Sequence, residues 1–230
     1  MALYQWQALD STGNVQMLTY SFGAGEANTL AVRLGDGSFL VVSPASKAPE
    51  EALDALAKLG AVTALLAPNA FHHMGQAQWR KHFPHAVSYA PEDAIKRVSK
   101  QSGLDYLPVS ALQPKLGGHV HVIAPNGLKS TDLLVHASTP DGAIWFGGDL
   151  ISNMAPGEGG LLFRAISRLA GGGPGYRFNP LPSLLYLKDK KAWKADVRER
   201  MGRERLLAVV PAHGHAATGE TVARTHEILA

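Results

Sequence analysis

Short apolar runs rich in β-branched and aromatic residues fill the chain up to residue 44: LYQWQ, VQMLTYSF, NTLAVRL and SFLVVSP. STGN, GAGEA and GDG separate them, so each run reads as a strand, and GDG marks a hairpin. The period then changes. In APEEALDALAKLG, residues 48–60, Leu53, Leu56 and Leu59 form one stripe at helical spacing. Pro49 opens that helix, acids fill its first turn and Gly60 closes it. VTALLAP, residues 62–68, returns to strand.

The alternation continues downstream. GQAQWRKHFP (75–84) predicts a short helix stopped by Pro84, AVSYA (86–90) a strand, and PEDAIKRVSKQSG (91–103) a helix opened by Pro91 and closed by Gly103. HVHVIA (119–124) and TDLLVHAS (131–138) predict strands. TPDGAIWFGGDL (139–150) continues the second as a hairpin turning at Asp141-Gly142. GLLFRAISRLAGGGPG (160–175) predicts an amphipathic helix running into a glycine-rich lid. LPSLLYLKDKKAWKADVRERMG (181–202) predicts one long helix, RLLAVVPAH (205–213) a strand, and TGETVARTHEILA (218–230) a last helix capped by Thr218.

A doubly wound sheet does not begin with four hairpin-linked strands. Two mixed β-sheets packed face to face with helices outside, an α+β architecture, fit the order better. A chain of 230 residues suits a single domain spanning 1–230.

Composition narrows the chemistry. Hydrophobic residues make up 46% and charged residues 18%, enough for a sizeable core. The net charge is +3, so the basic pI of about 9.1 marks no strong field and no nucleic-acid partner is expected. The absence of cysteine excludes disulfides and thiolate ligands, leaving His, Asp, Glu and water for any metal. The start, MALYQWQALDSTGN, does not read as a signal peptide, and no apolar run has the length of a membrane span. A cytoplasmic protein with no membrane partner is expected.

Candidate ligands stand at the ends of apolar runs. His72 and His73 follow VTALLAP, Asp149 follows AIWFGG, and His213 follows LLAVVPA. Strand ends bearing loops are where sites form in layered folds. Imidazoles and a carboxylate from three distant segments suit one divalent cation, with zinc favoured and iron or manganese admissible.

The same residues carry a resemblance. The stretch APNAFHHMG, GGDL around Asp149 and PAHG around His213 resemble motifs of the metallo-β-lactamase superfamily, whose fold is an αββα sandwich. Its first motif is H-x-H-x-D-H-x-G. Aligned on His73-Met74-Gly75, His73 takes the last histidine, His72 takes the aspartate, and Ala70 and Pro68 replace the first two histidines. IAPNGLKSTD stands where the family has PGHTxGS, without its histidine. The pattern is closer to a divergent branch of unknown function carrying APN..HH, DL..N and AHG. The resemblance implies that the first metal position is lost and that the second keeps His73, Asp149 and His213. A mononuclear site follows, with His72 as a fourth ligand or as general base, and His72 and Asp149 as the catalytic pair.

Plainer roles stand beside these. Adjacent loop histidines are usually solvated. Asp149 can brace its own turn, and His213 can satisfy buried backbone. His119 and His121 share one strand face. His136, Asn69 and Asn153 are candidates to hold a ligand side chain or substrate from behind. Residues 188–205 carry eight basic and four acidic side chains, which reads as a solvated helix with mixed i,i+4 pairs before an anion-binding face. The function expected is that of a metal-dependent hydrolase-like protein acting on a small molecule. The alternative is a non-catalytic binding or scaffold protein of the same fold.

Overall fold

The computed structural model describes residues 3–22, 25–157, 169 and 172–230. Two sheets face each other. The first runs in the order Gly175–Phe178, Ile151–Met154, His213–Gly214, Glu26–Arg33, Phe39–Val42, Val62–Leu66, Val87–Ala90 and Leu107–Pro108. Val15–Ser21 also pairs along Glu26–Arg33, and Trp6–Ala8 pairs with Val15–Ser21. The second sheet runs Ala217–Thr218, Leu206–Val210, Gly142–Phe146, Leu134–Thr139 and Val120–Ile123.

The period-2 rule assigns each strand residue to a layer. Leu30, Val32, Leu40 and Val42 of the first sheet meet Val135, Ala137, Ile144, Phe146 and Val210 of the second in a central core. Their neighbours point outward. Ala31, Phe39, Val41 and Leu65 pack with Leu53 and Leu56 of helix Glu50–Leu59 and Trp79 of helix Gln76–His82. On the other side, Leu134, Ala143, Trp145 and Val209 pack with Trp193, Val197 and Met201 of helix Lys190–Met201. Helices therefore cover both outer faces, which is the αββα order. No helix among the described residues is long and apolar enough to cross a membrane.

Both expected hairpin turns form. Gly37, with φ of +82°, turns Glu26–Arg33 into Phe39–Val42, and Gly142, with φ of +130°, opens the strand that pairs back on Leu134–Thr139. The single helix expected over 181–202 is two: Pro180–Tyr186 and Lys190–Met201. Between them the chain runs extended because a distant loop claims it. Leu187 bridges to Leu128, and the amides of Lys188 and Asp189 both donate to the carbonyl of Gly127. Asp189 then accepts from the amide of Ala192 and caps the second helix.

The last helix is likewise two short ones, Gly219–Ala223 and Thr225–Ile228, and the Thr218 side chain makes no cap bond. The helix and lid expected over 160–175 lie largely outside the described residues. Gly175 opens strand Gly175–Phe178.

Candidate metal centre

Four strands deliver the site. Phe39–Val42 and Val62–Leu66 are parallel neighbours, with Val42 opposite Leu66, so their carboxyl ends lie side by side. The first runs into Ser43 and the second into the loop that carries Asn69, His72 and His73. In the other sheet Gly142–Phe146 and Leu206–Val210 are also parallel, with Phe146 opposite Val210. They run into Asp149 and His213. Loops after strand ends meet here because both parallel pairs end at one edge of the sandwich.

Close backbone contacts fix these loops. The amide of Gly147 donates to the Val210 carbonyl at 2.7 Å, and that of Ala212 to the Gly148 carbonyl at 3.0 Å. Gly148 has φ of +61°, and a Cβ there would lie 2.6 Å from Asp132 Oδ2, so only glycine fits. Buried Asn28 donates from Nδ2 to the carbonyls of Pro211 and Gly214, which pins the His213 loop to strand Glu26–Arg33.

His72, Asp149 and His213 present one donor atom each, all within 4.8 Å of one another. Asp149 Oδ1 lies 3.2 Å from His72 Nε2 and 3.4 Å from His213 Nε2. Its other oxygen, Oδ2, accepts from Asn69 Nδ2 at 3.0 Å and from the Tyr186 hydroxyl at 2.9 Å. The two carboxylate oxygens thus have separate tasks. Behind the histidines, His72 Nδ1 lies 2.6 Å from Ser43 Oγ, and His213 Nδ1 faces the Glu26 carbonyl at 3.4 Å. Asp132, fully buried, accepts from Asn69 Nδ2 and from the amide of Asp149.

Electrostatics follow from this packing. Burial alone would raise Asp149, but the charge of His72 and hydrogen bonds from His213 and His72 overcome it and hold the carboxyl well below its usual range. Burial and the neighbouring Asp149 charge push Asp132 well above that range. Burial works against a charged His213, yet the bond and charge of Asp149 prevail and raise it. Burial pushes Tyr20 up to about 12, against a hydrogen bond with Ser43. Burial, then Asp149 and Asp132, push Tyr186 up as well, so it stays a donor.

The donor set fits a divalent cation. Ligand atoms about 2.1 Å from a tetrahedral ion stand roughly 3.4 Å apart. The two Nε2-to-Oδ1 separations match that spacing. Both histidines also have partners at Nδ1, as metal-binding imidazoles do. A carboxylate and two imidazoles suit zinc and other divalent ions.

Not every expected residue joins the group. His73, which the motif alignment puts on the metal, is outside it, and His72 supplies the donor instead. His73 Nδ1 is buried with no hydrogen-bond partner among the described residues, and burial followed by the Arg97 charge lowers its pKa. In the loop, it is His72 that meets Ser43 and Asp149.

His136 is on the far side of the second sheet. Val135 and Ala137 take the core face of its strand, so His136 faces outward. There it stacks on His121 and lies 3.4 Å from Glu204. His119 meets the Arg33 carbonyl at 2.9 Å. Asn69 does reach the site, but it holds the carboxylate, not an imidazole. Asn153 acts through its backbone: its carbonyl accepts from His215, and its strand pairs with Gly214.

Three participants escape a motif reading. Ser43 is visible only as a strand end. Asp132 opens an apolar run, TDLLV, as an ordinary strand leader would. Tyr186 hides inside a sequence that reads as continuous helix.

Comparison with known proteins places the fold. No protein-family model matches the chain, and no curated protein matches its sequence. Solved structures do. The chain is 19% identical to the metallo-β-lactamase FIM-1 from Pseudomonas aeruginosa in its mono-zinc form, covering 98% of this chain and 94% of that one, with a TM-score of 0.60. TMB-1 is 16% identical over 100% and 98% of the two chains, with a TM-score of 0.61. The metallo-β-lactamase from Pontibacter korlensis is 14% identical over 98% and 99%, with a TM-score of 0.60. Full-length superposition on these enzymes, together with the two sheets and outer helices, establishes that this chain has the metallo-β-lactamase fold.

Proposed function

We propose that the chain is a metal-dependent, hydrolase-like protein with a mononuclear centre held by His72, Asp149 and His213, zinc being the favoured ion. The observation that carries this reading is the convergence of two Nε2 atoms on Asp149 Oδ1. The mono-zinc form of FIM-1, a structure of the same fold, supports a divalent metal.

A divalent ion in such a site supplies Lewis acidity toward a carbonyl or phosphoryl oxygen and makes water more acidic. The residues of the chain prepare for it. Asn69 and Tyr186 hold Oδ2, which leaves Oδ1 turned to the histidines. With an ion on Nε2, His72 would donate its Nδ1–H to Ser43 Oγ, which fixes the ring with the Nε2 lone pair toward the ion. On this reading His72 is a ligand and not the general base. Glu26 does the same for His213 through its carbonyl. Three protein ligands leave one position open, as catalytic sites do. Esters, amides, thioesters and phosphoesters are the substrate classes such a site polarises.

Metal analysis of protein purified without added metal tests the reading. About one equivalent of metal is expected, consistent with a single three-ligand site. It is lost in a His72→Ala, His213→Ala double variant and kept in His73→Ala. Metal-free protein whose melting is indifferent to chelator and to added zinc would favour the non-catalytic alternative.

A further inference from the structure

Helix Lys190–Met201 carries cations on one face that its own acids do not neutralise. The i,i+4 pairs expected in this segment form between Asp196 and Arg200 and between Glu199 and Arg203. Lys190, Lys194 and Arg198 lie at i, i+4 and i+8, so they make a separate stripe one turn apart. None of the three makes an ion pair with a carboxylate side chain among the described residues. Lys194 donates to the Ala230 carbonyl at 2.6 Å.

Two of these ammonium groups are crowded together. Lys190 Nζ lies 4.8 Å and Lys194 Nζ 5.2 Å from the centre of the same ring, Phe178. Burial and the Lys190 charge lower the pKa of Lys194. Two like charges thus lie against one ring.

The stripe also lines a concavity. Lys190, Lys191, Lys194 and Arg198 form one wall of a groove of about 920 Å³, and His226 and Leu229 line it from the terminal helix. The groove holds four cations against Glu199, which is already engaged by Arg203, and the backbone oxygen of Ala230, which takes up Lys194. The whole chain carries only +3, so this is a local concentration of charge and not a general basic surface.

We infer that this groove is a binding site for a small phosphorylated anion, one bearing two or more phosphates. Three cations one helical turn apart span about 12 Å, which matches several anionic groups in a row better than a single one. Ammonium and guanidinium groups make charge-assisted bonds to phosphate oxygens. The second wall favours a compact ligand, since a long polyanion would need an open stripe. The site is independent of the metal centre.

Calorimetric titration of the purified protein with inorganic pyrophosphate, and separately with ATP, tests the inference. Saturable one-site binding is expected, weakening as salt is added. A Lys190→Ala, Arg198→Ala double variant should bind on the order of tenfold more weakly. A Lys58→Ala, Lys100→Ala variant removes the same charge from helices on the other side and should bind as before. The His72→Ala, His213→Ala variant should also bind as before, which separates this site from the metal centre. Absence of saturation overturns the inference, as does an equal loss in the control variant. A single-stranded oligonucleotide that binds tighter than pyrophosphate through the same two residues would overturn the small-molecule assignment.

Discussion

Ser43 Oγ lies 2.6 Å from His72 Nδ1, and the backbone is strained to put it there. Ser43 has φ of +54°, a region that costs a non-glycine residue about 1 kcal/mol or more. Its amide donates to the Leu66 carbonyl and its own carbonyl accepts from the Thr29 hydroxyl, so both neighbouring strands hold it in place. The strain persists at the point where a hydroxyl must meet an imidazole.

Two substitutions separate the hydroxyl from the strain. Ser43→Ala and Ser43→Gly both lose the bond to His72, and each should weaken zinc binding by about 10- to 100-fold, measured by competition with a chromophoric chelator. Only glycine relieves the backbone. The Gly variant should therefore match the Ala variant in zinc affinity and exceed it in denaturant stability by about 1 kcal/mol. Unchanged zinc affinity in both would show that Ser43 does not orient a ligand.

Asn69 stands between two buried carboxylates and donates to both, at 2.9 Å to Asp132 and 3.0 Å to Asp149. Asn69→Ala removes that donor and leaves two acceptors facing each other. A loss of about 3 kcal/mol or more is expected in urea unfolding of the metal-free protein. Burial and the Asp149 charge raise the pKa of Asp132, which weakens its hold on the charged form. Asp132→Asn should thus cost about 1.5 kcal/mol or less, the scale of one rearranged hydrogen bond. If Asp132→Asn is the more damaging of the two, Asp132 is charged in the native state.

The sequence is most legible where local chemistry decides structure. Leu53 and Leu56 announce a helix face, and Gly37 and Gly142 announce turns, because each acts within a few residues. The ends of apolar runs likewise point to the segments that bring Asp149 and His213 together. The site's details depend on distant partners. Whether His72 or His73 turns inward depends on Ser43 and Asp149, which are 29 and 77 residues away. Leu187 through Asp189 leave the helix because Gly127 and Leu128 bond them. That break ends the first helix at Tyr186, the residue that reaches Asp149. His136 is close to Asp149 in sequence, but strand alternation sends it to the opposite face.

Gly75 sits where the histidine loop meets the segment after Ser43. Its φ of −85° suits any residue, but a Cβ there would lie 2.0 Å from the Pro44 carbonyl oxygen and 2.5 Å from that of Ala45. Both obstacles are backbone and cannot swing aside. Gly75→Ala must therefore separate the loop from residues 44–45, at an expected cost of about 1–3 kcal/mol. The same shift lengthens the Ser43–His72 contact, so zinc affinity should fall with stability. Gly103→Ala offers a comparison: its φ is +71° with no atom near the added Cβ, so it should lose about 1 kcal/mol of stability and no zinc affinity.

The pH dependence of the metal-free protein tests the charge arrangement directly. His213 has a raised pKa in the fold, so its contribution is fully present below the ordinary histidine value of about 6.5 and is lost as pH rises through the higher folded value. Asp149 has a depressed pKa, so its contribution is present above about 3.9 and is lost only as pH falls through the lower folded value. The pair is therefore strongest in mildly acidic solution. Asp132 acts in the same sense as His213, since a raised carboxyl favours the fold at low pH. Thermal melts in chelator should show stability falling from mildly acidic to alkaline pH, and His213→Gln should flatten the part of the slope near and above neutrality. Zinc reverses the trend, because a ligand imidazole must be unprotonated and the ion replaces the proton between His213 and Asp149. With zinc in excess, the melting temperature should rise across the interval where the metal-free protein loses stability. Parallel pH profiles with and without zinc would mean that the ion does not bind between these two side chains.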